Sequence, residues 1–289
     1  MFRHTSRLQF TSKPDKPDAL YAMKLQELIG GAWGEMTVSQ QYLFQGWNCR
    51  VPGKYKDMIM DIATEEIGHV EMLATMVARL LEGAPSETVA GSLDGDAATA
   101  AIIGGMNPQH AIVGGGGALP SDSNGNPWMG SYIVSSGNLL ADFRVNVAAE
   151  SQGRLQTARL YNMTDDYGVR EMLKFNLARD TMHQLQWLAA IEQLQEDGLG
   201  GVVVPDALLD EENQEHSRTL WGLSDGQHAH EGKWAQGTAP DGAHEFTYLN
   251  NPDPLGDIAD APAPDPMLYA TYNTSHDGII GKVKDKLGS

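Results

Sequence analysis

A single cysteine, Cys49, is all the thiol chemistry this chain offers. No intramolecular disulfide framework is therefore available, and a reducing, cytoplasmic setting is expected. Long apolar runs are missing as well: nothing approaches the ~18 residues a bilayer-spanning helix needs. The opening residues, MFRHTSRLQFTSKPDKP, lack the apolar stretch of a secretory signal. Cationic residues are scarce. Lys and Arg number 20 against 38 Asp and Glu, giving a net charge of −18; this excludes a basic, phosphate-neutralising surface, so neither nucleic acid nor a membrane is an expected partner. From residue 200 onward 15 acids face 5 Lys or Arg, which reads as a solvated, acidic late third.

What the sequence does have is helical periodicity. Four segments carry it: about 18–47, 54–81, 136–162 and 167–195. The first stops before NCRVPG, where Pro52 and Gly53 break the pattern, and the fourth stops at EDGLGG, where Gly198 is a C-terminal signal. Short breaks inside each pair predict two antiparallel hairpins. A Gly- and Pro-rich connection, about 83–135, joins them. Two hairpins with a long crossover describe an all-α, ferritin-like four-helix bundle over residues 1–200. Residues 201–289 differ in texture: VVVPDALL suggests one extended segment. Scattered aromatics (Trp221, Trp234, Phe246, Tyr248, Tyr269, Tyr272) predict an irregular C-terminal tail that wraps the bundle or a neighbouring subunit.

The second helix holds an anomaly. Its inward seam reads Ile59, Ile62, Glu66, His69, Leu73, Met76, Leu80, with a carboxylate and an imidazole in the middle. Glu66 and His69, three apart, leave one helix face about a turn from each other, the geometry two ligands need to reach one metal or a close pair. Alone, Glu-x-x-His is a weak signal. Its place on a buried seam strengthens it, because an unpaired buried carboxylate costs several kcal/mol. The neighbouring Glu65 lies four before His69, but the seam count selects Glu66 and Glu65 is set aside.

The other helices repeat the pattern. Glu35 stands between Leu28 and Tyr42 at heptad spacing, Glu150 follows Phe143 and Val147, and the fourth helix reads Leu173, Asn176, Asp180, His183, Trp187, Ile191, Leu194. Each helix thus contributes one mid-helix carboxylate, and the second helix of each hairpin adds a histidine. Two divalent cations would neutralise this cage, as in di-iron or di-manganese carboxylate sites. Four coincidental salt-bridged acids would instead need buried Lys or Arg partners, for which only Arg154 is an obvious candidate. Asp180 departs from the general pattern: one methylene shorter than Glu, it reaches less far and is a candidate general base beside the metals. Tyr42 lies in the same layer, either as a hydrogen-bond donor to a ligand carboxylate or as an ordinary core tyrosine.

These motifs, with GGAWGEMTVSQQYLFQG, DIATEEIGHVEML, NPQHAIVGGGGALPSDSNGNPW and DTMHQLQW in register, resemble the manganese catalases of the ferritin-like superfamily. The resemblance covers nearly the whole chain. It implies disproportionation of hydrogen peroxide to water and dioxygen at two manganese ions per subunit, cycling between II,II and III,III, in a homohexamer with wrapping tails. It implies Glu35 and His69 on one manganese, Glu150 and His183 on the other, Glu66 bridging, and Asp180 where the family usually has a non-ligand Glu that handles protons. Ala149 replaces a basic residue found in some members. The resemblance also implies a calcium site at Asp57 and Asp61, with help from Gly222, Ser224 and Gly226 of the GLSDG segment. His228 and His230 read as loop surface. Alternatives on the same bundle are a di-iron oxidase or ferroxidase and a structural relative of the spore-coat type.

Overall fold

The computed structural model describes residues 4–51, 53–83, 105–199, 212–226, 228–242 and 244–257. The chain divides into two compact units, Met1–Leu209 and Asp210–Ser289. The expected extended segment VVVPDALL and the rings of Tyr269 and Tyr272 lie outside the described residues, as does part of the crossover.

In the first unit the elements are α1 (Ala19–Leu25), α2 (Glu27–Gly30), α3 (Glu35–Asn48), α4 (Gly53–Leu80), a short α5 (Pro108–Ile112), α6 (Leu139–Tyr161) and α7 (Tyr167–Glu196). Side-chain caps start several of them: Asp18 accepts from the Tyr21 N–H, Asn107 from Gln109, Asn138 from Ala141 and Asp166 from Val169. Helices α3 and α4 form one hairpin and α6 and α7 the other; α3 meets α6 and α4 meets α7 across the bundle. The architecture is the all-α bundle expected.

The first helix is not continuous, however. The sequence pattern predicts one helix over 18–47; three pieces form instead, and the break at residues 31–34 places Glu35 in the first turn of α3. Glycines stand on either side of the break, where the backbone is closely approached. A side chain at Gly30 would collide with the Ser121 backbone of the crossover, and one at Gly34 would press 2.8 Å from the Leu28 and Ile29 carbonyl oxygens. The crossover is stitched down here. Gln26 donates to the Leu119 and Ser121 carbonyls, Glu27 accepts from Ser123, and Trp128 donates to Thr37.

Two apolar clusters fill the bundle. One gathers Leu25, Leu28, Met72, Leu73, Met76, Leu80, Met172 and Leu173, the other Tyr42, Ile59, Ile62, Phe143, Trp187 and Leu194. Along α4 and α7 the residues between the clusters are polar and buried: Glu66 and His69 on one, Asn176, Asp180 and His183 on the other. A polar layer therefore divides the core.

In the second unit, β1 (Thr219–Gly222) pairs in parallel with β2 (Thr247–Asn250), Thr219 opposite Thr247. This short sheet was not expected; four-residue strands flanked by Gly, Asp and Pro carry little periodic signal. Among the described residues no helix is long and apolar enough to cross a membrane.

Candidate metal centre

Six side chains converge in the polar layer. Two groups form, Glu35 with Glu66, His69 and Asp180, and Glu66 with Glu150, Asp180 and His183; within each, one donor atom per residue lies within 4.8 Å of the others. All are buried, Glu66, His69 and His183 at 0 % exposure. Glu66 and Asp180 are common to both, and Glu66 lies closer to the imidazoles. Its Oε2 lies 2.7 Å from His69 Nδ1 and its Oε1 2.6 Å from His183 Nδ1, so one carboxylate faces an imidazole from each hairpin. Glu35 Oε2 and Asp180 Oδ1 stand 3.7 and 3.8 Å from His69 Nδ1, and Glu150 Oε1 stands 4.0 Å from His183 Nδ1. The two imidazoles stack with centroids 5.6 Å apart.

Local structure explains each placement. The Gly34 turn sets Glu35 at the start of α3, where the unpaired N–H groups of a helix N-terminus favour negative charge. The 3.6-residue repeat of α4 and α7 delivers the other donors to one stripe, between apolar residues that fix the depth of the layer. Tyr42 donates its hydroxyl hydrogen to Glu150 Oε1 at 2.7 Å, and its ring packs on Trp187.

The electrostatics are those of an overcrowded cage. Burial and the nearby Glu66 charge raise Glu35 to about 7 and Glu150 to about 8. Burial, then the Glu35 and Glu66 charges, hold Asp180 well above the carboxylate range. Glu66 moves oppositely: burial resists its ionisation, but the His69 charge and the His183 hydrogen bond outweigh it and depress its pKa. Against the lowering effect of burial, Glu65 and Glu66 lift His183 to about 10, and Glu66 lifts His69 well above the imidazole range. Among the described residues the ion pairs of these four carboxylates run to the two histidines. Arg154 takes no part, donating to Gln184 instead. Four buried carboxylates without a Lys or Arg partner fit a donor set built for cations. Its oxygen-rich make-up with two imidazoles suits hard or borderline divalent ions such as manganese or iron.

The chain matches the family model described as "Manganese containing catalase" over residues 1–283. It belongs to the manganese catalase family. A manganese catalase of Bacillus subtilis is 53% identical over 272 residues, covering 94% of this chain and 98% of that protein. One from Lactiplantibacillus plantarum is 46% identical over 269 residues, covering 93% and 98%. The crystal structure of KatB, a manganese catalase from Anabaena, superposes with a TM-score of 0.65 at 27% identity, covering 87% of this chain and all of that one.

Two residues of the layer escaped the sequence. Glu65, set aside by the seam count, faces the outer nitrogens of both histidines, with Oε2 3.2 Å from His183 Nε2 and Oε1 3.8 Å from His69 Nε2. Arg179 holds it through both carboxylate oxygens, at 2.5 and 3.1 Å, and the Gln9 amide donates to it at 2.6 Å. It sits at the edge of the α4 stripe, on the side turned to α7, where a count along α4 alone gives no signal. Asn176 stood on the predicted stripe without a role; its amide nitrogen donates to Glu35 Oε1 and to Asp180 Oδ1.

Ala149 packs in the apolar cluster of Tyr42 and Trp187. Asp57 and Asp61 are exposed on α4, while Gly222, Ser224 and Gly226 belong to the second unit, with Ser224 and Gly226 exposed. His228 and His230 are exposed; His228 pairs with Glu231 at 2.7 Å.

Proposed function

We propose that this chain is a manganese catalase in activity as well as in family, holding two manganese ions in the polar layer and converting two hydrogen peroxide molecules to two water molecules and dioxygen. The observation that carries the reading is Glu66, a fully buried carboxylate with one oxygen turned to an imidazole of each hairpin, flanked by Glu35 and Glu150. In this reading Glu35 and His69 would hold one ion and Glu150 and His183 the other, with Glu66 available to both. When bound, the manganese pair supplies storage of two electrons by alternating between II,II and III,III.

The chain's own residues do the rest. Asp180 takes a proton from one peroxide and returns it to the other; the burial and negative surroundings that raise its pKa suit a group that must hold a proton and release it. Tyr42 fixes Glu150 through its hydroxyl. Glu65 stands beside the outer nitrogen of His183, at 3.2 Å, and Arg179 and Gln9 hold it in place. The apolar clusters on either side keep bulk water from the layer.

The same reading takes the protein to be a cytoplasmic homohexamer whose C-terminal tails wrap neighbouring subunits. It assigns calcium to Asp57 and Asp61, which calcium-dependent thermal stabilisation lost in Asp57→Ala would support. The main test is oxygen evolution from peroxide with metal content measured on the same sample. Two manganese per subunit and one dioxygen per two peroxides are expected. Predominant iron with oxygen consumed, or no oxygen from fully manganese-loaded protein, overturns the reading.

A further inference from the structure

Asn176 occupies a position where the helix pattern calls for an apolar residue. On α7 it follows Leu173 and precedes Asp180 on the buried face, and it is itself 0 % exposed. Burying an amide costs free energy unless its polar atoms find partners. The nitrogen finds two. It donates to Glu35 Oε1 at 2.9 Å and to Asp180 Oδ1 at 2.8 Å, one hydrogen for each. The oxygen finds none: Asn176 Oδ1 is buried without a hydrogen-bond partner.

The two acceptors come from different hairpins. Glu35 opens α3, and Asp180 lies one turn beyond Asn176 on α7. The amide therefore ties the short carboxylate of the second hairpin to a carboxylate of the first. Each acid is left with one oxygen outside that bond: Glu35 keeps Oε2, which stands 3.7 Å from His69 Nδ1, and Asp180 keeps Oδ2. An aspartate has only two side-chain torsions, so one hydrogen bond on Oδ1 goes far toward fixing where Oδ2 points.

We infer that Asn176 is a positioning residue of the centre: its amide sets the orientation of Asp180 relative to Glu35, and its oxygen, which has no protein partner, accepts a hydrogen from a water. The inference rests on the catalase reading for what Asp180 does. The tie between the two carboxylates stands on the geometry alone. A buried acceptor without a protein partner is satisfied once a small, hydrogen-bearing molecule enters. Asn176 adds this acceptor without adding charge to a cage that already holds four carboxylates.

The test compares Asn176→Leu, which keeps the shape and removes both polar functions, with the unmodified protein. Manganese content, a crystal structure of the metal-free variant, and kcat and KM for peroxide are measured together. The expected result is two manganese per subunit retained, an Asp180 carboxylate turned away from Glu35, and kcat lowered about tenfold or more with KM nearly unchanged. In the Asp180→Asn background the same substitution should cost little further, since both changes act through one group. Asn176→Ser serves as the second variant if Leu impairs folding; its hydroxyl reaches one carboxylate at most, so the loss in kcat should remain. An unmoved Asp180 in the metal-free structure, or full additivity with Asp180→Asn, overturns the inference. If the unmodified protein evolves no oxygen, the catalase reading fails, while the Asp180 orientation in the metal-free structures still decides the tie.

Discussion

The two hairpins bring nearly the same set of groups to the polar layer. Each contributes a carboxylate from its first helix and a carboxylate three residues before a histidine from its second: Glu35 with Glu66 and His69, Glu150 with Asp180 and His183. The outcome is not symmetric. Glu66 reaches the middle and faces both imidazoles, at 2.7 and 2.6 Å, whereas Asp180 comes no closer than 3.8 Å to His69 and is held by Asn176. One methylene separates the two side chains. In the proposed function, that difference divides the labour of the site, giving one half the shared carboxylate and the other a carboxylate free to carry a proton.

The largest way to break this comparison is to remove the shared group. Glu66→Ala should abolish binding of both manganese ions and lower oxygen evolution by at least about 1000-fold, since the metal supplies the chemistry; retention of even one ion by metal analysis would count against a shared ligand. His69→Ala should likewise empty the site. Removing the proton-carrying group from the other half is the next step. Asp180→Asn should keep both ions yet slow kcat by roughly 100-fold, the ordinary scale of general acid–base catalysis, and unimpaired turnover in a fully loaded sample would exclude the proton role.

Smaller effects sharpen the picture. In metal-free protein Glu35 at about 7 and Glu150 at about 8 hold protons that a cation must displace. A raised carboxylate pKa means the protonated form persists below it, so manganese affinity should climb as pH rises from 6 to 9, with proton release measurable in weakly buffered solution at pH 7. A pH-independent affinity would mean that these acids are already ionised, and His69 and His183 already neutral, before loading. Tyr42→Phe should be the mildest change. It strips one hydrogen bond from Glu150 while keeping the ring against Trp187, and a loss of about tenfold in activity or metal affinity is expected. No change in either would make Tyr42 a packing residue.

Much of this was written in the sequence. The stripe positions of Glu66, His69, Asp180 and His183 follow from the 3.6-residue repeat, because Ile59, Ile62, Leu73 and Met76 on one helix and Leu173, Trp187 and Leu194 on the other mark which side faces in. The two-hairpin bundle followed from short breaks and one long connection. Helical periodicity is a local property, and a local property can be read from one chain.

What the sequence left undecided depends on groups far apart along it. The backbone just before the break is closed over where Gly30 meets Ser121, 91 residues away by number. Glu65 joins the centre because α7 brings Arg179 and His183 to the edge of α4. Asn176 gained its Glu35 partner only when the start of α3 came within hydrogen-bond reach of α7. A stripe count registers the direction a side chain leaves its own helix. Which neighbouring helix it then meets, and at what height, is settled by packing across the bundle, and only the tertiary structure carries that.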